Sequence, residues 1–430
     1  MLTNPVVLSI VLMTILCLLR FNILLSILIS ALFAGLLSGH GLVETTGILV
    51  AGMKGNLETA LSYILLGALA VAISRTNLTA ILINAISKIL SKKSTYLVLA
   101  IAAIASLSQN LIPVHIAFIP VLIPPLLPLF NKIKLDRRAV ACALTFGLKA
   151  PYLSMGVGFG LLFFNIIKDQ MKNNGLIVSI SDIQKVMWIG GVSMLVGLIL
   201  AILAYKKDRV YNTQEVTVAT NNENLHMTRK EWAVLAGAFI AFGVQIYTSN
   251  MPLGALSGLI AMIAFKGIEY NKVNDVMSDG LAMMAFIAFI LLVAAGFGAV
   301  LRESGGISEL VSFASLISGN KLGGILIMLI VGLLITMGIG SSFGTIPVIA
   351  AIYVPFCSSL NLSVSATILL IGVAAALGDA GSPASDSTLA PTAGLNMDGG
   401  HNHIYDTCVP TFLFFNIPLI IGGTIGAMLL

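Results

Sequence analysis

Two aspartates and a lysine stand where the surrounding sequence leaves no ordinary use for a charge. Asp379 and Asp386 lie in the run GDAGSPASDSTLAPTAGLNMDGG (378–400), and Lys149 lies in GLKAP (147–151); both runs are set among long apolar stretches. A charged side chain inside a bilayer segment costs about 2.5–3.5 kcal/mol even on a translocon scale, so it needs a partner or a function. The aspartates are seven residues apart, a spacing that would share a helix face, but Gly381 and Pro383 between them predict an unwound tip. Unwound carbonyls with Ser382, Ser385 and one carboxylate would make an oxygen-rich site suited to Na⁺ or to an ammonium group. Asp386 is the better placed of the two to cap a half-helix instead.

Lys149 offers two kinds of chemistry. Burial disfavours a charged lysine, so it could carry an exchanged proton, or it could anchor the carboxylate of an amino acid while Asp379 takes the amine. Its bland alternatives are a fixed structural bridge or snorkelling to the interface. Ser108 and Asn110 precede Pro113, and Ser341, Ser342 and Thr345 precede Pro347. Proline frees a carbonyl one turn earlier, and these hydroxyl and amide groups either complete a ligand shell or re-satisfy the interrupted backbone. His115 follows the first of these prolines and could titrate near neutral pH. His401 and His403 form an HxH without a spaced partner set, so no resident metal or other cofactor is expected. Asp406, at the start of the last span, reads as a helix cap or an interface residue rather than a ligand. The four cysteines show no CxxC pattern and read as small core residues.

These residues are embedded in a chain of 430 residues that is 58% hydrophobic and only 10% charged, against roughly a quarter charged in soluble domains. A soluble enzyme or a nucleic-acid binder is thereby excluded, and an all-α polytopic membrane protein is expected. Apolar windows of about 20 residues, the length that crosses ~30 Å of hydrocarbon as a helix, fall at 3–19, 22–38, 57–74, 94–110, 186–204, 231–247, 251–265, 280–301, 323–339 and 407–429. The stretches 111–130, 139–167, 343–378 and 380–396 read as spans broken by Pro, Gly and small polar residues, and 78–90 and 305–320 as amphipathic arms. The N-terminus lacks a basic segment ahead of its apolar run, so the first span is expected to be retained.

One polar stretch, 206–230, divides the chain. With the N-terminus placed outside, 16 of the 23 basic residues fall on the cytoplasmic side and 6 outside, with Lys149 inside a span. The positive-inside bias favours that threading, which puts the linker in the cytoplasm and starts the two halves on opposite sides. SLSQNLIPVHIAF (106–118) aligns with GIGSSFGTIPVIAAI (338–352), setting Pro113 over Pro347, and GLKAP aligns with DAGSP (379–383), setting Pro151 over Pro383. The offsets, 234 and 232, are nearly constant, and Arg75 and Arg302 end corresponding spans at an offset of 227. The expectation is an inverted repeat: 1–205, with a hairpin and broken helix over 106–167, and 231–430, with its counterpart over 338–396. Breaks are expected at Pro113, Pro151, Pro347 and Pro383. Pseudo-symmetry then brings Lys149 close to the Asp379 tip.

The runs GIGSSFGTIPVIAAIYVPF, GDAGSPASDSTLAPTAGLN and HIYDTCVPTFLFFNIPL resemble the NhaC-type Na⁺/H⁺ antiporter family of the ion-transporter superfamily, and LDRRAVACALTFGLKAPY resembles its YuiF-like branch, whose members look like amino-acid (histidine) permeases. The resemblance covers most of the chain. It implies re-entrant hairpins, a scaffold against a mobile elevator-type transport domain, and a homodimer in the cytoplasmic membrane. The function expected is an ion-coupled secondary transporter, Na⁺/H⁺ antiporter-like, with a Na⁺- or H⁺-coupled amino-acid permease as the alternative. A passive channel fits two broken-helix repeats poorly. An intramembrane enzyme would need a paired nucleophile and base or an HExxH cluster, and the sequence has neither.

Overall fold

The computed structural model describes residues 4–19, 21–54, 57–78, 81, 94–110, 119, 123, 126–211, 226–248, 250–306, 321–339, 341–383 and 385–430. Among these the regular structure is helical: α1 Pro5–Leu18, α2 Ile23–Leu37, α3 Leu42–Met53, α4 Leu57–Ser74, α5 Ser94–Asn110, α6 Leu127–Lys132, α7 Arg137–Ser154, α8 Phe159–Asn173, α9 Ile180–Ala204, α10 Arg229–Thr248, α11 Met251–Ala264, α12 Val273–Glu303, α13 Lys321–Ile339, α14 Ser342–Ser359, α15 Val364–Ala376, α16 Asp386–Leu395 and α17 His403–Leu429. The ten uninterrupted apolar windows each coincide with one of these helices. α3 is an addition: it is short, and Glu44, Thr45 and Thr46 dilute its apolar character below that of a span. The arms expected at 78–90 and 305–320 fall almost wholly outside the described residues.

Side-chain chemistry fixes where several helices begin. Asn22 and Ser363 each accept a hydrogen bond from a first-turn amide, and Ser179 with Asp182 forms a reciprocal capping box at the start of α9. Along α9, Trp188, Val192, Leu195, Val196, Ile199, Leu200 and Leu203 are exposed, and Val409, Leu413, Ile417, Ile421, Ile425 and Met428 form a similar stripe on α17. Their spacing of three to four residues is one helix face. Exposed apolar stripes with polar groups turned inward are the arrangement a bilayer stabilises and water does not.

The interior is built on α7, α14 and α15. Ala366–Ala376 of α15 are all buried, as are Ser342–Val354 of α14 and, Phe146 apart, Ala139–Leu153 of α7. The long α12 packs on α2, α3, α4 and α14, and so joins the α4–α11 side of the molecule to the buried trio. Two expected breaks fall elsewhere. α7 runs through Pro151 to Ser154, and the chain turns at 155–158, where α7 and α8 meet at 50°. A proline near a helix end loses only one hydrogen bond and its φ is already helical. The turn itself requires Gly158, whose φ of 60° and ψ of −129° exclude a side chain. Pro347 likewise lies inside α14, whose start is set by Ser341 capping the Gly344 amide. Pro383 does sit in non-helical chain, between α15 and α16. Pro113 lies outside the described residues.

Candidate functional site

The unwound segment between α15 and α16 carries Asp379 into the centre of the molecule, where it is 1% exposed. Its Oδ2 pairs with the Lys149 ammonium from α7 and accepts hydrogen bonds from the Ser342 amide (2.9 Å) and the Ser342 hydroxyl. Its Oδ1 accepts from the Ser385 hydroxyl. Ser342 is the first residue of α14, so the carboxylate sits on a helix N-terminus, where free amides and the helix dipole favour an anion. Ser385 is the N-cap of α16. The carboxylate is therefore held between the starts of two helices, with a lysine across it.

The loop keeps this geometry through contacts on both sides. Asn416 of α17 accepts from the Gly378 amide and donates to the Ala380 carbonyl, each at 3.0 Å. It lies at the end of a π-helical turn, Phe412–Asn416, a local widening often found at functional positions. Gly381 has φ of 105°, and a Cβ there would lie 2.6 Å from the Phe412 Cα, so this position admits glycine alone. Ser387 donates to the Asp379 carbonyl (3.2 Å), Thr388 to the Ser382 carbonyl (2.5 Å), and Thr145 of α7 to the Ser387 carbonyl (2.8 Å).

One side of the ion pair is covered by rings. The Tyr152 hydroxyl donates to Ser342 Oγ at 2.8 Å, and the Lys149 ammonium lies 5.5 Å from the Tyr152 ring centroid. Tyr152 packs on Phe343 at 4.9 Å and Phe163 at 5.2 Å, and Tyr63 of α4 meets Phe343 edge-on at 5.8 Å. This cluster joins α4 to α7, α8 and α14 over the charged pair.

The structure sorts the residues singled out from sequence. Lys149, Asp379, Ser342 and Ser385 converge. Ser382 turns away, donating to the Met337 carbonyl at 3.1 Å. Ser341 and Thr345 serve the backbone of α14: one caps the Gly344 amide and the other donates to the Ser341 carbonyl at 2.6 Å. The helix cap expected of Asp386 is Ser385; Asp386 takes the first helical position because the serine side chain reaches the Ser387 amide. The side chains of Asp386, Ser108 and Asn110, and the whole of His115, lie outside the described residues. Among the described residues no three His, Cys, Asp or Glu side chains are grouped to hold a metal.

A second buried ion pair joins α7 to the loop after α16. Arg137 is fully buried and donates from Nη1 (2.6 Å) and Nη2 (2.5 Å) to the two oxygens of Asp398, as well as to the Leu395 carbonyl and Asn131. The linker's first residues lock onto this face: Arg209 pairs with Asp406 at 2.7 Å, and the Tyr211 hydroxyl accepts from the Arg137 amide and donates to Asp136. An Arg-Arg pair reads from sequence as interface charge. Its burial depends on an aspartate 261 positions away, which no local pattern reveals.

The profile described as Na⁺/H⁺ antiporter family matches residues 143–424, well over half the chain and including both members of the central pair; a second, Na⁺-H⁺ antiporter family profile, matches residues 4–90. The chain belongs to the Na⁺/H⁺ antiporter family. It is 47% identical over 444 residues to YuiF of Bacillus subtilis, a protein described as a candidate amino acid transporter, covering 99% of this chain and 100% of YuiF. Among solved structures, the fold is similar to MtrF of Neisseria gonorrhoeae, from a class of antimetabolite efflux pumps (TM-score 0.62, 15% identity, 91% of this chain and 85% of MtrF). It is similar also to the YdaH transporter of Alcanivorax borkumensis, which has an unusual topology (TM-score 0.62, 15% identity, 98% and 97% covered). This member of the antiporter family is thus a helical secondary transporter and not an enzyme.

Proposed function

We propose that the protein is an ion-coupled amino-acid transporter whose cargo binds by opening the Lys149–Asp379 pair. The observation that carries this reading is the pair itself: a buried ammonium and a buried carboxylate, each complementary to one end of a zwitterion. A cargo amine on Asp379 and a cargo carboxylate on Lys149 replace one internal contact by two, which lowers the cost of leaving either charge alone. The full-length similarity to YuiF supports the same cargo class. A second reading, Na⁺/H⁺ exchange, is favoured by the donor set of Asp379: carboxylate, Ser342 and Ser385 oxygens suit a hard cation, and Na⁺ entry there would displace Lys149.

The supporting architecture is proposed with it. Two inverted repeats, 1–205 and 231–430, flank a cytoplasmic linker, 206–230, in a cytoplasmic-membrane homodimer with its N-terminus outside. The hairpin-bearing part, with Lys149 and Asp379, moves against the α4–α12 side, and the Tyr63–Phe343 contact is the surface that must part. Na⁺ or H⁺ is the coupling ion.

Ligand-induced stabilisation of the purified protein tests the cargo. A ligand at 100 times its Kd stabilises by about 2.7 kcal/mol. The expected result is that one amino acid raises the unfolding midpoint, and that its methyl ester and its N-acetyl form do not, because each lacks one charge. Stabilisation by Na⁺ and by no amino acid would establish the second reading.

A further inference from the structure

Arg302, in the last turn of α12, serves none of the contacts described so far. Its guanidinium lies in the seam between α12 and α14. The point where a Cβ on Gly298 would stand is 3.7 Å from Arg302 Nη1 and 2.9 Å from the Pro347 carbonyl oxygen. Nη1 is buried and has no hydrogen-bond partner in the protein. Leaving a buried donor of a charged group unmet is costly. The helix dipole favours a basic residue in a last turn, but it supplies no acceptor. The corresponding arginine of the first half is met in full: Arg75, just after α4, lies 2.5 Å from Asp279 and 3.9 Å from Asp275. At the same offset of 227 those aspartates correspond to Gly52 and Ile48, so the repeat brings no acid to Arg302.

The helix across the seam carries the complementary defect. α14 contains Pro347 and Pro355. Neither has an N–H, so the carbonyls of Phe343 and Ala351, each four residues earlier, lose their ordinary helical donor. No side chain of the described residues replaces it. Residues four apart are turned by only about 40° around a helix and separated by about 6 Å along it. Phe343, Pro347 and Ala351 therefore set their carbonyls in one row, and the Pro347 member of that row faces Gly298. The seam holds an unmet cationic donor on α12 and two under-bonded acceptors on α14, one turn to either side of Pro347.

We propose that Arg302 is the docking residue for α14 in the other states of the transport cycle. A slide of α14 along α12 by about one turn, ~6 Å, brings the Phe343 or the Ala351 carbonyl to the guanidinium, and the bond that forms is charge-assisted. The state seen here makes neither bond. Gly298 suits such a seam, because it lets the two backbones pass where a Cβ would strike the Pro347 carbonyl. Arg302 touches no cargo; it is a positioning residue that holds the hairpin at its stations.

This inference rests on the movement proposed above and not on the identity of the cargo, and its test separates the two. Glu303 on α12 and Ile177 in the loop after α8 are exposed, and α8 packs on α7 and α14. With the four native cysteines replaced, Glu303→Cys and Ile177→Cys carry spin labels, and pulsed electron spin resonance in liposomes reads the distance between them. Two distance populations are expected. Arg302→Met should deplete the second at least about tenfold, the effect of losing one hydrogen bond to a charged group. Arg302→Lys still donates to a carbonyl and should keep it. Pro347→Ala with Pro355→Ala returns both carbonyls their helical donors and should deplete it likewise, should the methionine variant fold poorly. Exchange of a radiolabelled mixture of the protein amino acids should fall in parallel. Wild-type populations in both Arg302→Met and the double proline variant would overturn the docking role. A single population in the wild type, with and without the amino acids, would overturn the movement. Two populations, depleted as expected in Arg302→Met, without any amino-acid exchange would uphold the docking residue and overturn the cargo.

Discussion

The central pair makes an asymmetric prediction for a double-mutant cycle. Removing one partner of a buried ion pair costs about 3–5 kcal/mol, and the environment decides where in that range each substitution falls. In Lys149→Met the carboxylate keeps the Ser342 amide, the Ser342 hydroxyl and the Ser385 hydroxyl, so the cost lies near the lower end, about 3 kcal/mol. In Asp379→Asn the ammonium, 11% exposed, keeps a neutral amide and the Tyr152 side chain but no anion, so the cost lies near the upper end, about 5 kcal/mol. The double variant buries neither charge. Its cost should fall short of the summed single costs by about 2–3 kcal/mol, the upper part of the ~0.5–3 kcal/mol range for residues in direct contact. Equilibrium unfolding in mixed micelles reads all three. Single costs that add to within about 0.5 kcal/mol, or a Lys149→Met cost larger than that of Asp379→Asn, would refute the reasoning.

Further perturbations have distinct signatures. Gly381→Ala meets both a positive φ and the Phe412 backbone, and should lower stability by more than the ~1–3 kcal/mol of backbone strain alone, with loss of transport, read by unfolding and flux. Asp398→Asn strips the buried Arg137 of its counter-charge and should cost about 3–5 kcal/mol. Burial would raise the Asp398 carboxyl, but hydrogen bonds from Arg137 and the Gly400 amide hold it below its ordinary 3.8. Its stabilisation is therefore complete above that value and is lost as pH falls through the lowered one, and an acid unfolding series should show this slope in the wild type and not in Asp398→Asn. Tyr152→Phe removes the hydroxyl on Ser342 and should weaken cargo binding by about 0.5–1.5 kcal/mol, a change of about two- to twelvefold in Kd.

Much of the scaffold was legible in the sequence because continuous apolar runs have only one stable outcome in lipid. The apposition of Lys149 and Asp379 was anticipated from two proline matches at nearly constant offset, a long-range signal of the kind that single residues do not carry. Residue type alone predicts a break at Pro151, whereas the helix runs through it and the glycine at 158 makes the turn. Among the hydroxyls before Pro347, composition could not tell Ser342, which faces the carboxylate, from Ser341 and Thr345, which serve the helix start; the difference is one step of helical phase. Asn416 and Asp398 act through contacts that exist only once distant segments pack, and each has an unremarkable place in the sequence.

The most direct measurement uses purified protein in sealed liposomes with an interior pH dye, an imposed pH gradient, and amino acids or Na⁺ added outside in separate arms. A central site at the Lys149–Asp379 pair predicts proton movement evoked by a zwitterionic amino acid and abolished in Asp379→Asn. Proton movement that persists undiminished in Asp379→Asn, under either addition, would contradict the account and place the transport site elsewhere in the molecule.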